Sequence, residues 1–260
     1  ALGLMARRNL RYIGVTDDAG RLAGVFTLRT LLRKRALATL TVGDEIATAA
    51  RPRDLARVQA ALPSLAAGLL ADGQDARQVA AIIAAEARAM TARAAELAEA
   101  ELVAAGRGPA PADYALLVLG SGGRGESLLA PDQDNALVIA DDYTGDLDDP
   151  DDWFTRFAAR INEILDRAGI PYCKGGVMAK NRPWRRRLGE WLDQARDWAG
   201  HPSPQALLSV DIFYDFTPAH VSGSGGSRLA GQLRRDAGEI ARGSLSMLRA
   251  LGAAAGSHAP

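Results

Sequence analysis

The sequence predicts an α+β chain, and three observations carry that expectation. Short apolar runs, ALLVLG at 115–120, NALVIA at 135–140 and LLSVDIFYDF at 207–216, are bounded by Gly, Pro or Asp and read as strands. In the Ala-rich stretch before them Val79, Ile82, Ile83, Met90 and Leu97 recur at spacings of three, four and seven, which predicts one long amphipathic helix over about 75–105. Further helical patterns are interspersed with the strands: about 152–168 with Phe154, Phe157, Ile161 and Leu165, about 184–199, and 228–251 with Leu229, Leu233, Ile240, Leu248 and Leu251.

In chain order, RYIGVTDDAGRLAGVFTLRTLLRKRA at 11–36 reads as strand, Asp-Asp-Ala-Gly turn, strand, and a helix carrying Leu28, Leu31 and Leu32. From Asp44 the pattern is helical, with Pro52 and Pro63 read as lying near helix starts and Asp72-Gly73 as a break. GRGPAPAD at 106–113 marks a boundary, the acidic DDYTGDLDDPDD reads as a solvated turn, and GSGGS at 223–227 reads as a flexible connection. Trp184, Trp191 and Trp198 recur every seven positions and read as one buried helix face, and Cys173 as a small buried apolar residue. Four segments follow: 1–43, 44–110, 111–222 and 223–260.

Composition sets limits. Of 260 residues, 48% are hydrophobic and 24% charged, with zero formal net charge, so no broad attraction to nucleic acid or membrane is expected. One cysteine and three dispersed histidines argue against an internal disulfide or a Cys/His zinc site. The sequence offers neither a membrane-length apolar run nor a basic-then-apolar leader, and the cytoplasm is the expected compartment. The long helix reads as a packing scaffold or the face of a homodimer.

The chemistry concentrates in LGSGGRGESLLAPDQDN at 119–135. Gly120, Gly122 and Gly125 spell G-x-G-x-x-G, the fingerprint of a dinucleotide-binding turn, and Asp141 lies about twenty residues on, where a ribose-binding acid belongs. Against this, only Glu126 to Gln133, with Pro131 among them, are available for a crossover helix of a dozen or so residues. The competing reading is a triphosphate site. Gly120 and Ser121, followed by Gly122, end a buried strand, where backbone N–H groups and a hydroxyl can meet phosphate oxygens, and Arg124 is either a cation for the same phosphates or a structural partner of Glu126. Asp132 and Asp134, two apart in an extended segment, point to one face and offer hard oxygen ligands for Mg²⁺ or Mn²⁺. Lys174, Lys180, Arg182 and Arg185 surround a Gly-Gly turn; Lys174 is the further candidate for phosphate, with a solvated basic loop as the alternative.

G-S-G-G-R-G-E-S-L-L-A-P-D-Q-D-N resembles the polymerase-β-like nucleotidyltransferase superfamily, and in particular the bacterial nucleotidyltransferase-like proteins that accompany CBS domains. It also resembles the catalytic loop of the PII uridylyltransferase, from which it departs at Pro131, usually Ser, and at Gln133, usually apolar. Y-C-K-G-G-V-M-A-K-N-R-P-W-R and W-L-D-Q-A-R-D-W resemble the C-terminal part of the CBS-linked family, and residues 11–36 resemble the closing half of a CBS motif. With the opening half missing, the chain is expected to begin inside a domain, and Thr30 stands where that motif often carries a ribose-binding Asp. The resemblance implies a mixed sheet flanked by helices and a helical N-terminal region. It further implies transfer of a nucleoside monophosphate from a nucleoside triphosphate to an acceptor it does not name, a regulatory protein being one class. A non-catalytic nucleotide-sensing or interaction module is the alternative.

A two-metal site usually needs a third carboxylate, and LLSVDIFYDF offers Asp211 and Asp215. Read as a strand, the run sets them on one face roughly 13 Å apart, so that only one can ligate. Similarity to the uridylyltransferase selects Asp215, with Thr217 in place of an Arg; similarity to the glutamine-synthetase adenylyltransferase selects Asp211.

Overall fold

The computed structural model describes residues 10–27, 42–127, 129 and 131–257. Strands β1 (Tyr12–Thr16) and β2 (Leu22–Thr27) pair antiparallel around the expected turn, where Asp17 accepts from the backbone N–H groups of Ala19 and Arg21. The helix expected at Leu28, Leu31 and Leu32, and with it Thr30, lies outside the described residues.

Residues 42–48 are helical and lead into α1 (Pro52–Ala71), with Pro52 in its first turn. Pro63 lies inside α1 instead of starting a helix, so the bond that a residue there would make to the Gln59 carbonyl is missing. Leu55, Val58, Leu62, Ala66 and Leu69 are buried along one face and hold α1 in place. The long helix α2 (Ala76–Ala104) matches the expected span; Asp75 caps it by accepting from Arg77 and Gln78.

The central sheet has strand order β5-β4-β3-β6, made of β3 (Tyr114–Val118), β4 (Asn135–Ile139), β5 (Arg185–Arg187) and β6 (Thr217–Val221). β3 runs antiparallel to β4 and β6, while β4 and β5 are parallel, so the sheet is mixed. Both faces are covered. Tyr114, Leu116, Leu137 and Ile139 enter one core with α1, α2 and α4 (Trp153–Arg167). Ala115, Leu117, Ala136 and Val138 enter the other, with α5 (Leu188–Gly200), α6 (Pro204–Phe213) and α7 (Gly223–Gly243). This explains why β3 and β4 read as continuous apolar runs: alternate residues face different layers and neither face meets water. A short helix, α3 (Gly120–Arg124), separates β3 from the acidic segment, and α8 (Leu245–Ser257) ends the described chain.

Further local expectations fail. LLSVDIFYDF is not a strand: its first part is α6, started by Ser203, which accepts from Ala206, and by Pro204, and burying Ala206, Val210 and Phe213 at spacings of four and three. The strand is the following TPAHV of β6. GSGGS is not a flexible connection but the first turns of α7, where a β-carbon at Gly226 would collide with the Tyr114 carbonyl, so glycine permits close approach to β3. Residues 185–187 form β5, with the helix beginning after them. Accordingly Trp191 and Trp198 share the buried face of α5, whereas Trp184 packs from the 3₁₀ turn Arg182–Trp184, its ring 6.0 Å from that of Trp191. Among the described residues, no helix is long and apolar enough to cross a membrane.

Candidate functional site

The Gly-Ser loop, the acid pair and one face of α2 line a single cleft of about 50 Å³. Ser121 and Gly122 come from α3, Asp132 and Asp134 from the segment entering β4, and Ala84, Arg88 and Thr91 from α2. Gly120 is buried at the start of α3, and the loop and acid segment are joined by Leu119 N–H donating to the Asp134 carbonyl at 3.0 Å.

The acid segment alternates as an extended chain should. Asp132 is exposed and Asp134 half-buried, while Gln133 and Asn135, each 2% exposed, turn inward. The inward side chains form a closed amide network with Asn162 of α4, which is 0% exposed. Asn162 Nδ2 donates to Gln133 Oε1 at 2.8 Å and to Asn135 Oδ1 at 3.1 Å, and its Oδ1 accepts from Lys180 N–H at 2.9 Å. Gln133 Nε2 donates to the carbonyls of Asn162 and Ile170 at 3.0 and 2.7 Å. A polar residue between the two acids, which reads as a departure from the uridylyltransferase pattern, is thus a buried hinge pin holding the acids outward.

Among the described residues, the cluster of three or more metal-ligating groups with ligand atoms within 4.8 Å of one another is Asp132, Asp134 and Cys173. Burial raises the Asp134 pKa above its ordinary value; a hydrogen bond from Cys173 works against the rise, and the Asp132 charge adds to it. Cys173 is half-buried rather than an inert core residue, and its thiol is pushed up, chiefly by burial. Neither Asp211 nor Asp215 joins the cluster. Asp211 is exposed on α6. Asp215 follows α6, and its Oδ2 accepts from Arg124 Nη1 at 2.6 Å while Arg124 Nε donates to Glu126 at 2.9 Å. The two acids therefore do not share a strand face, and the roughly 13 Å spacing along a strand does not apply to them.

The Asp215 backbone nonetheless lies hard against the loop. A β-carbon at Gly123 would collide with the Asp215 carbonyl oxygen, and Thr217 Oγ1 donates to the Gly123 carbonyl at 2.8 Å. Gly123→Ala is therefore expected to destabilise the protein by about 1–3 kcal/mol, because the obstacle is backbone and cannot rotate away. Chemical denaturation measures this, and an unchanged midpoint would show that the loop relaxes freely.

The basic cluster is largely structural. Arg185, 3% exposed, donates to the carbonyls of Ala179, Lys180 and Leu147, and Arg187 to those of Tyr143 and Gly145. Arg182 pairs with Glu190 at 2.8 Å and Lys180 Nζ sits 3.4 Å over the Tyr172 ring. Lys174 is exposed, one position beyond Cys173. Neither Arg88 nor Asn162 stands in a motif that the sequence displays. The small residues Ala84, Ala87 and Thr91 around Arg88 on one helical face were the available signal for the cleft wall.

The dinucleotide alternative fails on topology. β3 and β4 are antiparallel neighbours with no crossover helix among the described residues between them, and Asp141 accepts from Gly189 N–H at the start of α5. A mixed sheet covered by helices, with a Gly-Ser turn and a D-x-D pair on one cleft, is compatible instead with a nucleotidyltransferase domain. The chain belongs to the family described as "Putative nucleotidyltransferase DUF294", which matches residues 60–205, more than half of its 260 residues. The match takes in α2, the loop, the acid pair, Cys173 and α5; Asp211, Asp215 and the β1–β2 hairpin lie outside it. No curated protein matches the chain.

Proposed function

We propose that the protein is a Mg²⁺- or Mn²⁺-dependent nucleotidyltransferase that moves a nucleoside monophosphate from a nucleoside triphosphate to an acceptor, with a regulatory protein as the class of acceptor the uridylyltransferase resemblance suggests. The observation that supports this most is the shared cleft of Ser121, Gly122, Asp132 and Asp134 in a chain of this family. Two carboxylates supply oxygen donors, which suit a hard divalent ion, whereas the softer Cys173 thiol acts as a hydrogen-bond donor to Asp134. When bound, the ion would neutralise charge on the reacting phosphate and its leaving group.

In this reading Asp132 and Asp134 hold the metal, and Ser121 with the backbone of Gly120 and Gly122 orients the phosphates. Exposed Lys174 meets the outer phosphates or the acceptor. Of the two candidates for a third acid, Asp215 is the better placed, because its backbone lies on Gly123 and its carboxylate on Arg124, both in the loop. Arg124 positions Asp215 and Glu126 instead of contacting phosphate directly. A cleft volume of about 50 Å³ is far below the roughly 300–1,000 Å³ of a full ligand pocket, so base and sugar occupy the open side of the cleft.

Calorimetric titration of the four common ribonucleoside triphosphates, with Mg²⁺ and with EDTA, tests the reading. At least one triphosphate is expected to bind tenfold or more tightly with the metal. Equal affinity in chelator would overturn the metal role. Metal-dependent binding with no pyrophosphate released in the presence of a cell lysate as acceptor source would identify a nucleotide-sensing module.

A further inference from the structure

We infer that Arg88, on the N-terminal helix α2, is a binding residue for the terminal phosphates of the triphosphate, so that the helical region supplies part of the nucleotide site. The inference rests on the nucleotidyltransferase reading of the cleft and adds to it a residue and an element that the loop motif does not contain. Among the described residues, Arg88 is the sole basic side chain lining the cleft that holds Asp132 and Asp134. It is half-buried, yet it makes no hydrogen bond or ion pair with any described residue, unlike its neighbour on the same helix, Arg93, which donates to the Ala49 carbonyl and pairs with Glu96. A guanidinium carries five donors and cannot shed its charge, so one held in a polar cleft without a partner is available to a ligand rich in acceptors.

The charges agree with this. A divalent ion offsets Asp132 and Asp134, and the phosphate tail then brings several further negative charges into the same space. Of the other candidate cations, Arg124 is engaged by Asp215 and Glu126, Arg185 by three carbonyls and Arg182 by Glu190, while exposed Lys174 does not line the cleft. The flanking face of α2 is small. Ala84, Ala87 and Thr91 leave room above the loop, and a planar fork matches phosphate oxygens in pairs.

The test compares wild type with Arg88→Ala and Arg88→Gln, titrated by calorimetry with the tightest-binding ribonucleoside triphosphate plus Mg²⁺ and with its monophosphate. Loss of a charge-assisted phosphate contact is expected to weaken triphosphate binding on the order of 10- to 100-fold. Monophosphate affinity should stay within about twofold, and Arg88→Lys should recover part of the loss because charge returns without the fork. Circular dichroism melts identify a variant that fails to fold, in which case the Gln and Lys forms carry the comparison. If wild type binds triphosphate in a metal-dependent manner and the Arg88 variants bind it equally well, this inference alone falls. Equal losses for triphosphate and monophosphate also overturn it, since they would make Arg88 a wall residue. If wild type binds no triphosphate at all, the functional reading of the cleft falls and takes the inference with it.

Discussion

Asp134→Asn is expected to abolish metal-dependent nucleotide chemistry while leaving the protein as stable as wild type or more so. The two halves of this expectation have one cause. Asp134 is partly buried, sits within 4.8 Å of another carboxylate, and burial foremost raises its pKa. An acid whose folded pKa lies above its unfolded value favours the folded state more as pH falls, and opposes folding in its charged form at higher pH. Replacing it with a neutral amide of the same shape removes that opposition. It also removes one of two oxygen ligands, and loss of the several kcal/mol a metal ion supplies corresponds to a fall of roughly 10³-fold or more in rate. Pyrophosphate release from the tightest-binding triphosphate gives the first readout, and thermal melting at pH 5 and pH 8 in EDTA the second. The wild-type melting temperature should drop relative to Asp134→Asn as pH rises. A variant that is inactive because it melts far below wild type at both pH values would make Asp134 a structural residue.

Asn162→Ala is expected to do the opposite, breaking the fold first and the site as a consequence. Removing this amide leaves Gln133 Oε1 and the Lys180 N–H without their partners in a region closed to water, and weakens the hold on Asn135. Unpaired buried groups cost about 1–3 kcal/mol each, so about 2–6 kcal/mol is lost in total. For a protein of this size that lowers the melting temperature by roughly 5–15 °C. Below its transition the variant should still lose metal-dependent affinity, since Gln133 no longer orients the acids on either side of it. A melting temperature within about 2 °C of wild type would mean that the network contributes nothing, and that the acids are positioned by the β4 backbone alone.

These two substitutions lie 28 residues apart, and the sequence announces only the first. D-x-D after a Gly-Ser turn is a local pattern: two carboxylates on one face follow from the alternation of an extended chain, whatever surrounds it. Asn162 sits mid-helix between Ile161 and Ile164, and nothing in its neighbourhood distinguishes a buried amide from a solvated one. Its role exists because α4 packs on the sheet face under the acid segment, bringing Asn162 to Gln133 and Asn135. The helical state of LLSVDIF has a related origin. LLSVDIF is equally compatible with a buried strand and a buried helix by apolar content, and the deciding signal was the Ser203-Pro204 start four positions upstream of Leu207.

What the sequence by itself determined is what short-range chemistry controls: the long helix α2 from its apolar period, β3 and β4 from apolar runs, the glycine-lined turn, and the outward acid pair. Only the tertiary structure decided which of these meet. The order β5-β4-β3-β6 carries α2 over the loop so that Arg88 lines the acid cleft, and the close approach at Gly123 brings Asp215 to Arg124 instead of into the acid cluster. The physical reason is that caps and periodicities are fixed within one turn or a few residues of chain. Strand order and helix placement, in contrast, are set by burying both faces of the sheet at once, a condition that couples residues many tens of positions apart and leaves no mark at any one of them.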